Sequence, residues 1–144
     1  MAQIPFIHND FNYAQTVILG VFILIWTNDT FAYLVGKNFG RVKLFKVISP
    51  NKTVEGFIGG MVFAFIASYI ISIYFIELSM TQWLVIALLV SVFGVLGDLI
   101  ESMFKRQAGI KDSSNLIPGH GGFLDRFDSV IFAAPFIFIY LQIV

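Results

Sequence analysis

Residues Trp83–Arg106 read WLVIALLVSVFGVLGDLIESMFKR. The run from Trp83 to Gly97 carries no charge. Together with the residues to Met103 it supplies the ~20 positions that a helix rising ~1.5 Å per residue needs to cross a ~30 Å hydrocarbon core. Two carboxylates, Asp98 and Glu101, lie near its end, and Lys105 and Arg106 close it. The stretch therefore reads as a membrane helix whose acidic groups sit just inside one face of the bilayer.

The rest of the chain agrees. Its 144 residues are 58% hydrophobic and 12% charged, with a mean hydropathy of +0.85, whereas soluble domains carry about a quarter charged residues. Hydropathy places three further spans at Tyr13–Val35, Gly56–Ile76 and Phe127–Val144, the first interrupted by Asn28 and Asp29. The expected fold is all-α, a polytopic transmembrane helical bundle of about four membrane helices with two polar cytoplasmic loops. It forms one membrane domain over residues 1–144. The start, MAQIPFIHND, lacks the basic region of a signal peptide, so the first span is expected to be retained.

The basic residues fix the orientation. Lys37, Arg41, Lys43, Lys46 and Lys52 fall between spans one and two, and Lys105, Arg106, Lys111 and Arg126 between spans three and four. Cytoplasmic loops hold the Lys and Arg excess, so both long loops are expected on the cytoplasmic side, with the termini outside. Arg41, Lys43 and Lys46 flank Val42, Leu44, Phe45, Val47 and Ile48. They either set topology alone, in which case Lys43→Gln matters little, or rest on an anionic lipid surface. Net charge is zero, so nothing points to a nucleic-acid partner. The absence of cysteine excludes disulfides and thiolate metal sites. Two histidines, His8 and His120, are too few for a histidine-rich zinc site.

Asp29 and Asp98 stand roughly 10 Å inside the cytoplasmic ends of their helices if the loop lysines mark the boundary. An ionisable group at that depth is costly unless it faces a polar cavity or binds a cation. Asp98 and Glu101 share a helix face at i, i+3, and Asp125 and Asp128 repeat that spacing at the start of the fourth span. Two such pairs opening on one membrane side can meet around one site. Carboxylates so clustered repel unless a cation compensates, and oxygen-only ligands favour a hard ion such as Mg²⁺. Capping of the fourth helix by Asp125 and Asp128, and an ion pair from Glu101 or Asp98 to Lys105 or Arg106, are the structural alternatives.

Between the pairs lies Pro118-Gly119-His120-Gly121-Gly122, a turn running directly into a helix start. Glycines let backbone amides approach an anion closely, and the helix N-terminus adds its positive dipole end. With Lys105, Arg106, Lys111 and Arg126 around it, the turn fits a phosphate cradle. The first loop ends in Ser49-Pro50-Asn51-Lys52-Thr53-Val54-Glu55-Gly56. Here Ser49 or Thr53 can cap the second helix, or Lys52 can reach a phosphate.

Two stretches carry a resemblance. The first is Ser102-x-x-Lys105-Arg106, then Lys111-Asp112, then Ile117-Pro118-x-His120-Gly121-Gly122-Phe123-x-Asp125-Arg126-Phe127-Asp128. The second is Asn28-Asp29-Thr30-Phe31-Ala32-Tyr33 with Gly36, Gly40 and the Ser49–Gly56 run. Together they resemble the phosphatidate cytidylyltransferases, or CDP-diacylglycerol synthases, over residues 28 to 130. Phe31 and Val54 depart from the pattern, standing where glycine and tryptophan are expected. Members of that family carry further membrane helices before this region, so the chain is similar to the C-terminal catalytic half.

The resemblance implies an enzyme that moves a cytidylyl group from CTP to phosphatidic acid, giving CDP-diacylglycerol and pyrophosphate at the cytoplasmic membrane. It implies Mg²⁺, in a two-cation arrangement, on Asp98, Asp125 and Asp128. Lys105, Arg106, Lys111 and Arg126 would neutralise phosphates, and Ser49, Lys52, Thr53, His120, Gly121 and Gly122 would hold CTP or the lipid headgroup. CTP, phosphatidic acid and membrane lipids are thus the expected partners, and a homodimer is left open. The competing classes are a related enzyme acting on another lipid phosphate, a lipid kinase of similar fold, and a cation or proton transporter with intramembrane carboxylates.

Overall fold

The structure, a computed structural model, describes residues 10–109 and 123–144, with side chains from Gln15 to Gly109 and from Ser129 to Val144. Four helices follow in order: α1 (Asp10–Phe39), α2 (Val54–Tyr74), α3 (Met80–Gln107) and α4 (Phe123–Ile143). A two-stranded antiparallel hairpin, β1 (Lys43–Phe45) and β2 (Ser49–Thr53), joins α1 to α2. Among the described residues, three helical stretches are long and apolar enough to cross a membrane: Gln15–Phe39, Val54–Tyr74 and Met80–Gln107. Ser129–Ile143 adds a shorter apolar helix. The helical membrane bundle expected from hydropathy is thus present.

The hairpin was not expected. Pro50 lacks the amide a helix would use and is tolerated on the open edge of a two-stranded ladder. The ladder pairs Lys43 with Thr53 and Phe45 with Ser49. It is extended by Val54, whose amide donates to the Val42 carbonyl at 2.9 Å, and by Glu55, whose carboxylate oxygens both accept from the Val42 amide at 3.2 Å.

α2 shows how the bundle is sorted. Its inward face is Gly56, Gly60, Ala64, Ser68 and Ile71, all buried; its outward face is Ile58, Val62, Ile66, Ile70 and Ile73, all about half exposed. Water would demand the reverse. In lipid, small residues belong where helices meet and bulky apolar ones where they face acyl chains. A Cβ on Gly56 would lie 2.6 Å from the Ala32 carbonyl oxygen, and one on Gly60 2.8 Å from that of Asn28. These two glycines let the backbones of α1 and α2 touch.

The far end of the bundle is held by Trp83, fully buried on α3. Its ring lies where any side chain at Gly20 of α1 would have to go, and its indole N–H donates to the Phe75 carbonyl at 3.4 Å. α3 starts on a reciprocal cap: the Gln82 amide donates to Ser79 Oγ at 3.3 Å and the Ser79 amide to Gln82 Oε1 at 2.7 Å. α4 packs on α3 through the stacked rings of Phe93 and Phe136, 3.8 Å apart. It carries Pro135 within the helix, which a membrane helix tolerates where neighbours absorb the lost hydrogen bond. Phe31, the departure from the glycine expected there, stacks on Phe63 of α2 at 3.8 Å.

Candidate active site

α1 does not break at Asn28 and Asp29; the helix runs through them to Phe39. Asn28 is buried, and Asp29 borders an open polar space. Asp29, Tyr33 and Lys37 recur every four residues and form a stripe along one face, and all three line a cavity of about 870 Å³. The cavity opens where α1 ends and α2 begins. The hairpin adds Lys43, Asn51 and Lys52, α3 adds Gly94 and Asp98, and α4 adds Ser129.

Lys52 of β2 forms an ion pair with Asp98 of α3 across this space. That contact places the hairpin and the acidic end of α3 at one end of the bundle. It also answers how a carboxylate is held so deep in an apolar helix: an opposite charge from another element compensates it. Glu101, one turn further along, takes a different partner, Lys105, at 3.0 Å within α3. The structural alternative for this acidic pair, a local ion pair, therefore applies to Glu101. On the opposite wall Asn28 is 2% exposed, and its Oδ1 has no hydrogen-bond partner among the described residues.

Thr53 resolves in favour of a cap. It is buried, it precedes the first residue of α2, and its Oγ1 accepts from the Gly56 amide at 3.1 Å. Its side chain also fills the space beside Gly36 and Gly40, so Thr53 shapes the cavity wall while its hydroxyl serves the helix. Ser49 starts β2, paired with Phe45. Lys105 and Arg106 lie in the last turn of α3 and are not among the described cavity-lining residues. Asp125, Arg126 and Asp128 belong to the first turns of α4, the end of the helix that brings Ser129 to the cavity. Their side chains, and Lys111, His120, Gly121 and Gly122 altogether, lie outside the described residues. Among the described residues no three His, Cys, Asp or Glu side chains cluster closely enough to hold a metal ion.

Lys43 departs from expectation. It lines the cavity with Lys37 and Lys52, a place that its reading as a topology or lipid-surface residue did not give it. Lys37, Tyr33, Asn28 and Asn51 were not singled out as site residues from the sequence. The four-residue spacing of Asp29, Tyr33 and Lys37 in a membrane helix was the available signal.

An intramembrane helical bundle with a charged cavity at one end defines the class, and comparison with known proteins gives the family. The whole chain, residues 1–144, matches the cytidylyltransferase family, and the chain belongs to it. It is 51% identical over 126 residues to the phosphatidate cytidylyltransferase of Staphylococcus aureus (strain COL), covering 86% of this chain and 48% of that protein. To the enzyme of the same name from Staphylococcus haemolyticus (strain JCSC1435) it is 48% identical over the same shares. The chain thus spans about half the length of the relatives it matches. A solved intramembrane enzyme for archaeal membrane lipid biosynthesis shares the fold, with a TM-score of 0.57 over 81% of this chain and 75% of that one, at 20% identity.

Proposed function

We propose that this chain is the catalytic part of a phosphatidate cytidylyltransferase, which makes CDP-diacylglycerol and pyrophosphate from CTP and phosphatidic acid at the cytoplasmic face of the cytoplasmic membrane. The observation that carries it is the cavity itself: three lysines and two aspartates from three elements surround one space at the end of apolar helices. A transporter has little use for three lysines there, whereas a triphosphate and a lipid phosphate, both anionic, need them to approach one another.

In the reaction a phosphatidate oxygen attacks the α-phosphorus of CTP. A new P–O bond forms there, the bond to the β-phosphate bridging oxygen breaks, and pyrophosphate leaves with that electron pair. The attacker is already ionised at neutral pH, so no side chain has to remove a proton. Lys37, Lys43 and Lys52 screen the repulsion between the two substrates and hold the triphosphate. Asp98 keeps Lys52 directed into the cavity until the nucleotide enters. The opening among helix ends lets the lipid headgroup arrive while its acyl chains stay in the bilayer.

The side-chain oxygens on the cavity wall include those of Asp29 and Asp98 and the buried Asn28 Oδ1, which has no hydrogen-bond partner among the described residues. Such a set suits a hard divalent cation. Mg²⁺, as one or two ions, would be held by Asp98 with Asp125 and Asp128 from the head of α4. When bound it supplies positive charge to the phosphate oxygens whose charge grows during transfer.

Pyrophosphate release from CTP by the reconstituted chain tests this. Release that requires phosphatidic acid, and is not supported by a polyprenyl phosphate or by diacylglycerol, is the expected result. Release supported by another lipid phosphate instead would assign the chain to a related lipid-activating enzyme, and phosphorylation of a lipid alcohol would assign it to a lipid kinase.

A further inference from the structure

The hairpin between α1 and α2 has an outer side that the cavity does not use. Phe39 is 71% exposed, Val42 58%, Phe45 48% and Val47 90%. Phe39 ends α1 and the other three lie beyond the apolar helices, so the acyl chains that cover the outward face of α2 do not account for them. One such side chain on a loop would be unremarkable; the four from Phe39 to Val47 form an exposed apolar group among the described residues. The same segment is strongly basic. Lys37, Arg41, Lys43, Lys46 and Lys52 stand against one acid, Glu55, whose carboxylate accepts from the Val42 amide beside Arg41.

We infer that the hairpin tip, residues 42–48, is a membrane-interface element. It sets Val42, Phe45 and Val47 into the boundary between headgroups and acyl chains, while Arg41 and Lys46 contact anionic headgroups of the same leaflet. Position, polarity and charge each support this. The hairpin is tethered at both ends to membrane helices, so it is confined to the leaflet surface at which α1 ends and α2 begins. Apolar side chains interleaved with lysine and arginine are the composition that rests at that depth, and anionic lipid surfaces attract juxtamembrane basic segments. β1 also links this surface to the cavity, since Lys43 and Leu44, between Val42 and Phe45, line it. The hairpin thereby holds the mouth of the cavity at the level of anionic headgroups. This inference does not depend on which reaction the cavity performs.

The chain has no cysteine, so Val47→Cys gives a single attachment point for an environment-sensitive fluorophore in vesicles. The expected result is blue-shifted emission, quenching by phosphatidylcholine carrying a headgroup-level nitroxide, and stronger quenching once phosphatidylglycerol is included. Adding Arg41→Gln and Lys46→Gln should leave the quenching in pure phosphatidylcholine and remove the increment from phosphatidylglycerol. Water-like emission that aqueous iodide quenches in both vesicle types would overturn the inference. So would blue-shifted emission indifferent to the lipid nitroxide, which would mean that protein, such as a second copy of the chain, covers the tip. An increment that survives loss of Arg41 and Lys46 would overturn the electrostatic contact.

Discussion

Lys52 and Asp98 are joined in an ion pair that ties the β-hairpin to α3 across the cavity, with their side chains 27% and 34% exposed. Both come from segments that the sequence marks for chemistry, one as a phosphate ligand and the other as a metal ligand. In the proposed reaction each would occupy the other until substrate arrives.

A pair this accessible contributes little to stability, about 0–1 kcal/mol. Lys52→Ala should accordingly shift thermal unfolding in detergent only slightly while weakening CTP binding. Titration of CTP against the variant and the parent chain measures this, and a large loss of thermal stability with unchanged CTP affinity would make the pair structural.

Asn28 offers the opposite trade. Its buried Oδ1 has no partner among the described residues, and leaving a buried polar atom unsatisfied costs ~1–3 kcal/mol. Asn28→Leu, with the same branched shape though bulkier, should fold with little change in thermal stability and yet lose CTP binding or turnover. Stability that falls by several kcal/mol would show that the amide is held by contacts in the folded chain instead.

The contact between α1 and α2 predicts a contrast among glycines. Gly56→Val forces atoms against the Ala32 carbonyl, and overpacking of this kind costs ~1–3 kcal/mol. Gly94→Ala meets nothing closer than Ser129 Cβ at 3.7 Å and should be tolerated. Melting curves of the two variants in one detergent check the difference.

Thr53 tests a cap against a ligand role. Thr53→Val removes the hydroxyl that accepts from Gly56 and should cost about 1 kcal/mol, whereas Thr53→Ser should retain most of the stability. If Thr53→Val melts like the parent chain but no longer binds CTP, the hydroxyl serves substrate.

The membrane helices were legible because hydropathy and length suffice to find them. Their ends were less so. The first span was placed at Tyr13–Val35, where apolar residues give way to Lys37, yet α1 continues to Phe39, because hydropathy marks the apolar part of a helix and not its hydrogen-bonded end. The hairpin was not legible: β1 is three residues long and its ladder shifts register between Lys43 and Phe45, so no alternation announces it. Asp98 was singled out as a candidate site carboxylate from its depth and lies on the cavity wall, but its partner was not legible, since Lys52 meets it only through the fold. The place of Lys43 on the cavity wall was not legible for the same reason, since it depends on how the hairpin turns.

The most direct test is Mg²⁺-dependent formation of CDP-diacylglycerol from labelled CTP and phosphatidic acid in mixed micelles, comparing the parent chain with Asp98→Asn. Expected is labelled lipid from the parent and a loss on the order of 10²-fold or more in the variant, the scale on which removing one charge-stabilising group acts. Full turnover by Asp98→Asn would contradict the assignment of the cavity as the catalytic site, and a folded parent chain that makes no labelled lipid would contradict cytidylyl transfer by this chain.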